Sequence, residues 1–146
     1  MFTIIYENKK SRTHIFKTEK STLVGENFPR LKGGLHKAKE MGSGLCLRII
    51  FKHLGSCFRS MKDYRQAEEY FEDSLTLAHS LNKRNKEIEI LHGFGKMYIE
   101  LGDIDQAIHI FNEGLDVAKT SHNSKFEGIF LARIDDAYAL TPQKKQ

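Results

Sequence analysis

Hydrophobic residues recur at helical spacing over most of the chain. Leu91, Phe94 and Tyr98 follow one another at intervals of three and four residues, which places them on one face of an α-helix. The run from Ile104 to Ala118 repeats this spacing, with polar residues between the apolar positions. Amphipathic helices of this kind bury one face and expose the other. The pattern therefore predicts an all-α fold.

The helical pattern itself repeats after 40 residues. When residues 48–87 are aligned with residues 88–127, nine positions are identical; in the first unit they are Ile50, Gly55, Asp63, Gln66, Ala67, Phe71, Leu75, Ala78 and Glu87. A further step of 40 carries Leu91 onto Leu131 and Tyr98 onto Tyr138. The sequence thus predicts two full units, 48–87 and 88–127, and a half unit at 128–141.

Each full unit is expected to be a hairpin of two helices. Gly102 suits the end of a helix, and Asp103 can cap the start of the next one. Gln106 lies three residues later, where its side chain can return to the cap and complete a capping box. Asp63 begins the same arrangement in the first unit, with Lys62 in place of glycine at some conformational cost.

Small and large residues also keep their order in the two units. The sites are Phe51, Leu54-Gly55, Phe58, Ala67 and Phe71 in the first unit, and Leu91, Phe94-Gly95, Tyr98, Ala107 and Phe111 in the second. This order resembles the tetratricopeptide repeat (TPR) over about residues 45–140. The chain departs from the motif in its longer period, in lacking the proline that ends the second helix, and in placing Asp135 where glycine is usual.

The resemblance implies a right-handed superhelix of antiparallel helical hairpins, about two and a half repeats long, that binds other proteins and catalyses no reaction. Three runs, HLGSCF, YRQAEEYFEDSLTLA and ARIDDAYA, further resemble the last repeats of TPR subunits of the outer dynein arm docking complex in cilia. This likeness implies a scaffold subunit in a ciliary assembly. The alternative is a soluble adaptor or co-chaperone that captures acidic peptide tails.

The N-terminal segment matches the repeat less well and carries most of the positive charge. Residues 1–43 contain nine Lys or Arg and four Asp or Glu, whereas residues 44–146 contain fourteen and fifteen. Gly34, Leu35 and Ala38 match the end of a second helix, so a helix is expected from about residue 31. Residues 1–30 are predicted to be an irregular basic arm, and residues 31–146 the repeat domain.

Composition narrows the class of protein further. The near-neutral body disfavours a nucleic-acid partner. Cys46 and Cys57 would lie about 16 Å apart along one helix, too far for a disulfide, and are expected to be reduced. No apolar segment has the length of a secretory signal or a membrane span. These features predict a cytoplasmic protein without a membrane partner, located in the cilium or axoneme if the docking likeness holds.

Candidate catalytic and metal motifs are weak. The seven histidines form no HExxH and no other metal spacing, and GFGK at 93–96 lacks the spacing of a phosphate loop. Paired acids occur at 68–69, 72–73 and 135–136, where amphipathic helices usually expose a solvated face. We therefore expect no enzyme activity, no cofactor and no metal site.

The TPR resemblance places recognition on the first helix of each hairpin, which lines the concave groove of the superhelix. The groove positions are Ile49, Lys52, Ser56 and Arg59 in the first unit, and Glu89, His92, Lys96 and Ile99 in the second. Lys52, Arg59, His92 and Lys96 could form a basic ladder for acidic side chains or a C-terminal carboxylate. Chaperone-tail clamps of this family carry asparagine where this chain has Ser56.

A short repeat array also leaves apolar helix faces at its ends. The chain is therefore expected either to belong to a longer array or to associate with itself through these ends. The identity of the partner cannot be predicted, because the repeat-defining residues serve packing.

Overall fold

The computed structural model describes the backbone of residues 12–142 and side chains from residue 27 to residue 142. Over this range the chain forms six α-helices and no strand, which confirms the predicted all-α fold. The helices are α1 (Arg12–Met41), α2 (Gly44–Ser60), α3 (Tyr64–Ser80), α4 (Arg84–Leu101), α5 (Ile104–Thr120) and α6 (Ser124–Leu140).

The helices pack as hairpins in two layers. Helix α2 pairs closely with α3, and α4 with α5, while α1 packs against α2 and α6 against α5. Helices α2, α4 and α6 also contact one another in sequence, so they lie side by side and form one layer. Helices α3 and α5 form the other. The outer faces of α2, α4 and α6 therefore form one continuous surface.

The five junctions between helices share one backbone conformation and recur every 20 residues. One residue at each junction has a positive φ, between 53° and 87°; these are Gly42, Lys62, Asn82, Gly102 and His122. The following residue donates its N–H to the carbonyl five positions back, as Asp63 does to Phe58 at 2.9 Å. This is the Schellman helix end. The 40-residue repeat thus consists of two 20-residue helix-and-turn units.

The predicted caps are partly confirmed. The side chains of Asp63 and Asp103 accept the backbone N–H of Gln66 and Gln106, each at 3.2 Å. The second half of the predicted capping box is wrong, because the Gln66 side chain bonds Glu69 at 3.4 Å instead. The N–H of each cap residue already bonds the preceding helix, so no amide is left for the glutamine to return to.

Helix starts differ from the predicted unit limits. Helices α2, α4 and α6 begin at residues 44, 84 and 124, four residues before the unit starts at 48, 88 and 128. Matching one unit to the next determines the period but leaves open where each unit begins. Ser43 and Asn123 cap α2 and α6 and mark their starts, whereas Lys83 before α4 makes no side-chain cap.

The N-terminal helix is longer than predicted. Helix α1 begins at Arg12, so residues 12–30 are helical rather than irregular; residues 1–11 lie outside the described part of the chain. Pro29 lies within the helix and removes one backbone hydrogen bond. Phe28 packs edge-on against Phe58 of α2, with ring centroids 5.3 Å apart. This contact with the repeat domain extends the packed part of α1 beyond the predicted start at residue 31.

The core lies mainly between α3, α4, α5 and α6. Its largest fully buried side chains are three phenylalanines on three successive helices: Phe71, Phe111 and Phe130. A Cβ atom added to Gly95 would lie 2.3 Å from Phe111, so this ring occupies the space that any other residue at position 95 would fill. The close contact with α5 fixes the position of α4, and with it the surface that α4 shares with α2 and α6.

Candidate functional site

The predicted groove residues lie on α2 and α4, and two ion pairs show that they share one surface. Lys52 Nζ lies 3.1 Å from Glu89 Oε2, and Arg59 Nε lies 3.8 Å from Glu100 Oε2. Both pairs join α2 to α4 across the first layer. Seven of the eight predicted positions are partly buried rather than fully exposed; they are Lys52, Ser56, Arg59, Glu89, His92, Lys96 and Ile99. Ile49, on α2, is exposed.

Glu89 is the centre of a small ion-pair network at one end of this surface. It accepts hydrogen bonds from Lys52 at 3.1 Å and from Lys86 at 2.9 Å. Burial alone would raise the pKa of Glu89, but these two hydrogen bonds outweigh burial and lower the pKa. The positive charge of Lys52 is therefore already balanced by an acidic group of the protein itself.

His92 occupies a partly apolar position between α4 and α6. Its ring centroid lies 6.2 Å from that of Phe126 and 6.1 Å from that of Phe130. Burial lowers the pKa of His92, and the nearby charges of Lys96, Arg133 and Arg59 lower it further. The imidazole is consequently uncharged near neutral pH. Its Nε2 atom is buried and has no hydrogen-bond partner among the described residues.

The basic ladder predicted from the sequence is therefore interrupted. Lys52 and Arg59 are paired with acidic residues of α4, and His92 is neutral near pH 7. Within residues 27–142, Lys96 is the ladder position that remains charged and forms no ion pair. Among the four ladder positions, one therefore offers an incoming carboxylate an unpaired cation.

Two further positions contribute to the surface: Glu100 and Arg133. Glu100 pairs with Arg59, and Arg133 lies close enough to His92 to affect its pKa while also lying 3.7 Å from Asp136. Arg133 corresponds to Gly93 after a step of 40, which is outside the predicted groove positions. A sequence signal did exist for Glu100. Opposite charges about one repeat apart mark both of the pairs that join α2 to α4.

The remaining predicted positions, Ser56, Ile99 and Ile49, differ in their exposure. Ile99 packs against the hydrophobic core, and the Ser56 carbonyl accepts a hydrogen bond from Ser60 at 3.0 Å. Ile99 therefore contributes mainly to the shape of the surface. Ile49, 41% exposed near the start of α2, offers an apolar contact at the other end.

The most buried acidic group lies elsewhere and is fully engaged. Glu87 is 2% exposed, and its two oxygens lie 2.9 Å from His79 Nδ1 and 2.9 Å from Arg84. Both oxygens thus have partners, as a structural ion pair requires. Within the described residues, no group of three metal-ligating side chains is found. None of the helices described is long and apolar enough to cross a membrane.

Stacked antiparallel hairpins with a continuous charged surface along one layer define the class of helical-repeat interaction domains. A sequence model of the tetratricopeptide repeat matches residues 47–120, which is half of the chain and extends from α2 to the end of α5. The chain belongs to the tetratricopeptide repeat family. Members of this family generally bind other proteins. A comparison with curated proteins finds no match to the sequence.

Proposed function

We propose that the chain is a non-catalytic scaffold that binds a segment of another protein on the surface formed by α2, α4 and α6. Three observations support this function: the family, the alignment of the first helix of each hairpin in one layer, and the partly exposed charged residues along that layer. The observation that carries the proposal is Lys96. It is a cation without an ion pair in the described residues, beside the neutral, partly buried ring of His92.

The charge pattern favours a partner with one carboxylate over a partner with an acidic run. Glu89, Glu100 and Asp136 belong to the same surface and would repel additional negative groups. One carboxylate beside Lys96 avoids them and can also approach Arg133. Rigid helices hold these groups in place before binding.

Two cellular roles remain as proposals. The runs HLGSCF and ARIDDAYA support a docking scaffold in cilia, and unpaired Lys96 supports an adaptor for carboxylate-containing tails. Capture of dynein-docking components from ciliated cell extracts would support the first role. Selective binding of peptides with a free C-terminal carboxylate over their amidated forms would support the second.

The surface can be tested with defined peptides. Two labelled decapeptides of one apolar sequence, one with a free C-terminal carboxylate and one amidated, are titrated into the ¹⁵N-labelled chain. We expect the free carboxylate to bind more tightly and to perturb amide signals on α2, α4 and α6. Lys96→Glu should weaken this binding by about tenfold, since it replaces attraction by repulsion near the carboxylate.

Lys119→Glu is the matched control, because Lys119 is an exposed lysine on α5, in the other layer. It should change the affinity by less than about twofold, as expected for a charge far from the bound group. Equal weakening by both variants, or perturbations confined to α3 and α5, would show that binding does not use this surface.

A further inference from the structure

The last helix of the described chain has an uncovered face. Leu131 is 51% exposed and Tyr138 is 57% exposed, although both are large apolar or aromatic residues on α6. Their counterparts one repeat earlier, Leu91 and Tyr98 on α4, are 0% and 7% exposed. The difference arises because α5 packs closely on α4, whereas no described helix occupies the same place on α6. This face is separate from the surface that contains Lys96.

The two complete hairpins show what kind of element covers such a face. In each, the second helix is amphipathic, begins at an aspartate cap and places a phenylalanine over a glycine of the first helix. Ring atoms of Phe71 would lie 3.1 Å from a Cβ atom at Gly55, and those of Phe111 would lie 2.3 Å from one at Gly95. The phenylalanine therefore requires a residue without a side chain beneath it.

Helix α6 does not meet this requirement. Asp135 stands in the place of Gly55 and Gly95 at the 40-residue offset, and it is exposed. In the geometry of the two hairpins, its side chain would compete with the ring for the same space. A helix like α3 or α5 would both clash there and bury an unpaired negative charge, which is costly. A lysine or arginine in place of the phenylalanine removes the clash and pairs with the carboxylate, while neighbouring apolar residues cover Leu131 and Tyr138.

We propose that the face of Leu131, Asp135 and Tyr138 binds an amphipathic helix of a partner protein that carries lysine or arginine at the position of Phe111. The repeat supplies the shape of the site, and the single aspartate supplies its selectivity. The site would thus bind an amphipathic helix of the same type as α3 and α5. It would not bind a helix with the phenylalanine that α3 and α5 themselves carry at this position. It selects a partner through charge at one position.

The test uses the full chain and three synthetic peptides with the sequence of residues 103–120. One is unmodified, one carries Phe111→Lys, and one carries Phe111→Glu; affinities are measured by titration calorimetry at low salt. The wild-type chain should bind the lysine peptide about tenfold more tightly than either of the others. Asp135→Gly should reverse the order and favour the unmodified peptide, and Asp135→Lys should favour the glutamate peptide.

Leu131→Lys is the control for location and should weaken binding of every peptide. Asp135 is exposed, so its variants should fold normally, which circular dichroism can verify. Similar affinity for all three peptides, or the same order of affinity in wild type and Asp135→Gly, would overturn the proposal. So would a dimer in sedimentation equilibrium that Leu131→Lys abolishes, because the occupant would then be a second copy of the chain.

Discussion

Single glycines determine how closely the helices of this chain approach one another. Added Cβ atoms would lie 2.3 Å from an aromatic ring at both Gly95 and Gly114, but 3.1 Å from Phe71 at Gly55. Heavy atoms in van der Waals contact stand about 3.5–4.0 Å apart, so an added methyl group overlaps the ring at the first two positions. The tightest packing is therefore in the second hairpin and at its contact with α6.

Gly95→Ala should destabilise the chain even though alanine favours helices. The methyl group must displace the buried ring of Phe111, and overpacking of this kind costs about 1–3 kcal/mol. Urea unfolding followed by circular dichroism measures the change. Gly128→Ala is the matched control, since nothing lies within 4 Å of its Cβ, and it should be neutral or stabilising by up to about 1 kcal/mol. Equal effects at both sites would contradict the packing argument.

His92 should make the stability of the fold depend on pH. Burial and the charges of Lys96, Arg133 and Arg59 lower the pKa of His92 below its ordinary value of 6.5. The unfolded chain then binds more protons than the folded chain as pH falls through 6.5, so the free energy of unfolding decreases toward acidic pH. His92→Gln cannot be protonated and should reduce the loss of stability between pH 7 and pH 5.

Urea midpoints at several pH values provide the measurement. The same substitution at His109, which is exposed on α5, is the control and should leave the wild-type pH profile unchanged. An identical profile for wild type and His92→Gln would show that protonation of His92 is not coupled to folding.

The helices themselves are ended by a turn that recurs every 20 residues. Its left-handed residue is glycine at two junctions but Lys62, Asn82 and His122 at the other three. Residues with a side chain are strained in this conformation by about 1–2 kcal/mol, and asparagine less than most. The left-handed conformation is thus kept at three junctions whose own residue does not favour it.

Replacing the strained residues by glycine should stabilise these junctions. Lys62→Gly is expected to raise the free energy of unfolding by about 0.5–1 kcal/mol, since the larger unfolded-state entropy of glycine offsets part of the relieved strain. Asn82→Gly should give a smaller gain, and Gly102→Ala should lose about 1 kcal/mol. Chemical denaturation of the three variants checks this order. A loss of stability in Lys62→Gly would show that its side chain makes a favourable contact there.

Stability should be unevenly distributed over the molecule. The main core cluster contains buried residues from α3 to α6, whereas among the described side chains of α1 only Ala38 is buried. Repeat domains unfold in parts because each unit contacts only its neighbours. Helix α1 and the uncovered α6 should therefore open more readily than the central hairpin.

Hydrogen exchange followed by mass spectrometry can measure this distribution. Backbone amides of α4 and α5 should exchange most slowly and those of α1 fastest, because exchange follows local opening. Addition of the lysine peptide described above should slow exchange in α6 selectively. Uniform protection from α1 to α6 would instead indicate one cooperative unit.

The periodic residues were sufficient to predict the hairpins. Helix ends are encoded by local hydrogen bonds at Asp63, Gly102 and Asp103. Phe71 and Phe111 recur because each hairpin must fill the same space between its two helices. The phase of the repeat and the length of α1 could not be predicted. The packed length of α1 depends on contacts between distant residues, such as Phe28 with Phe58. The phase depends on turns that form at lysine and histidine as well as at glycine.

The sequence alone established the 40-residue period, the two-helix unit and the helices on which binding residues were expected, because these follow from local spacing. Packing determined which of those charged residues are already paired with an acidic group of the protein. Lys52 and Arg59 meet Glu89 and Glu100 only when α2 and α4 lie side by side, and the pKa of His92 is lowered by burial and by cations brought near it in the fold. Charge at a site depends on its neighbours in space, which the order of residues along the chain does not specify.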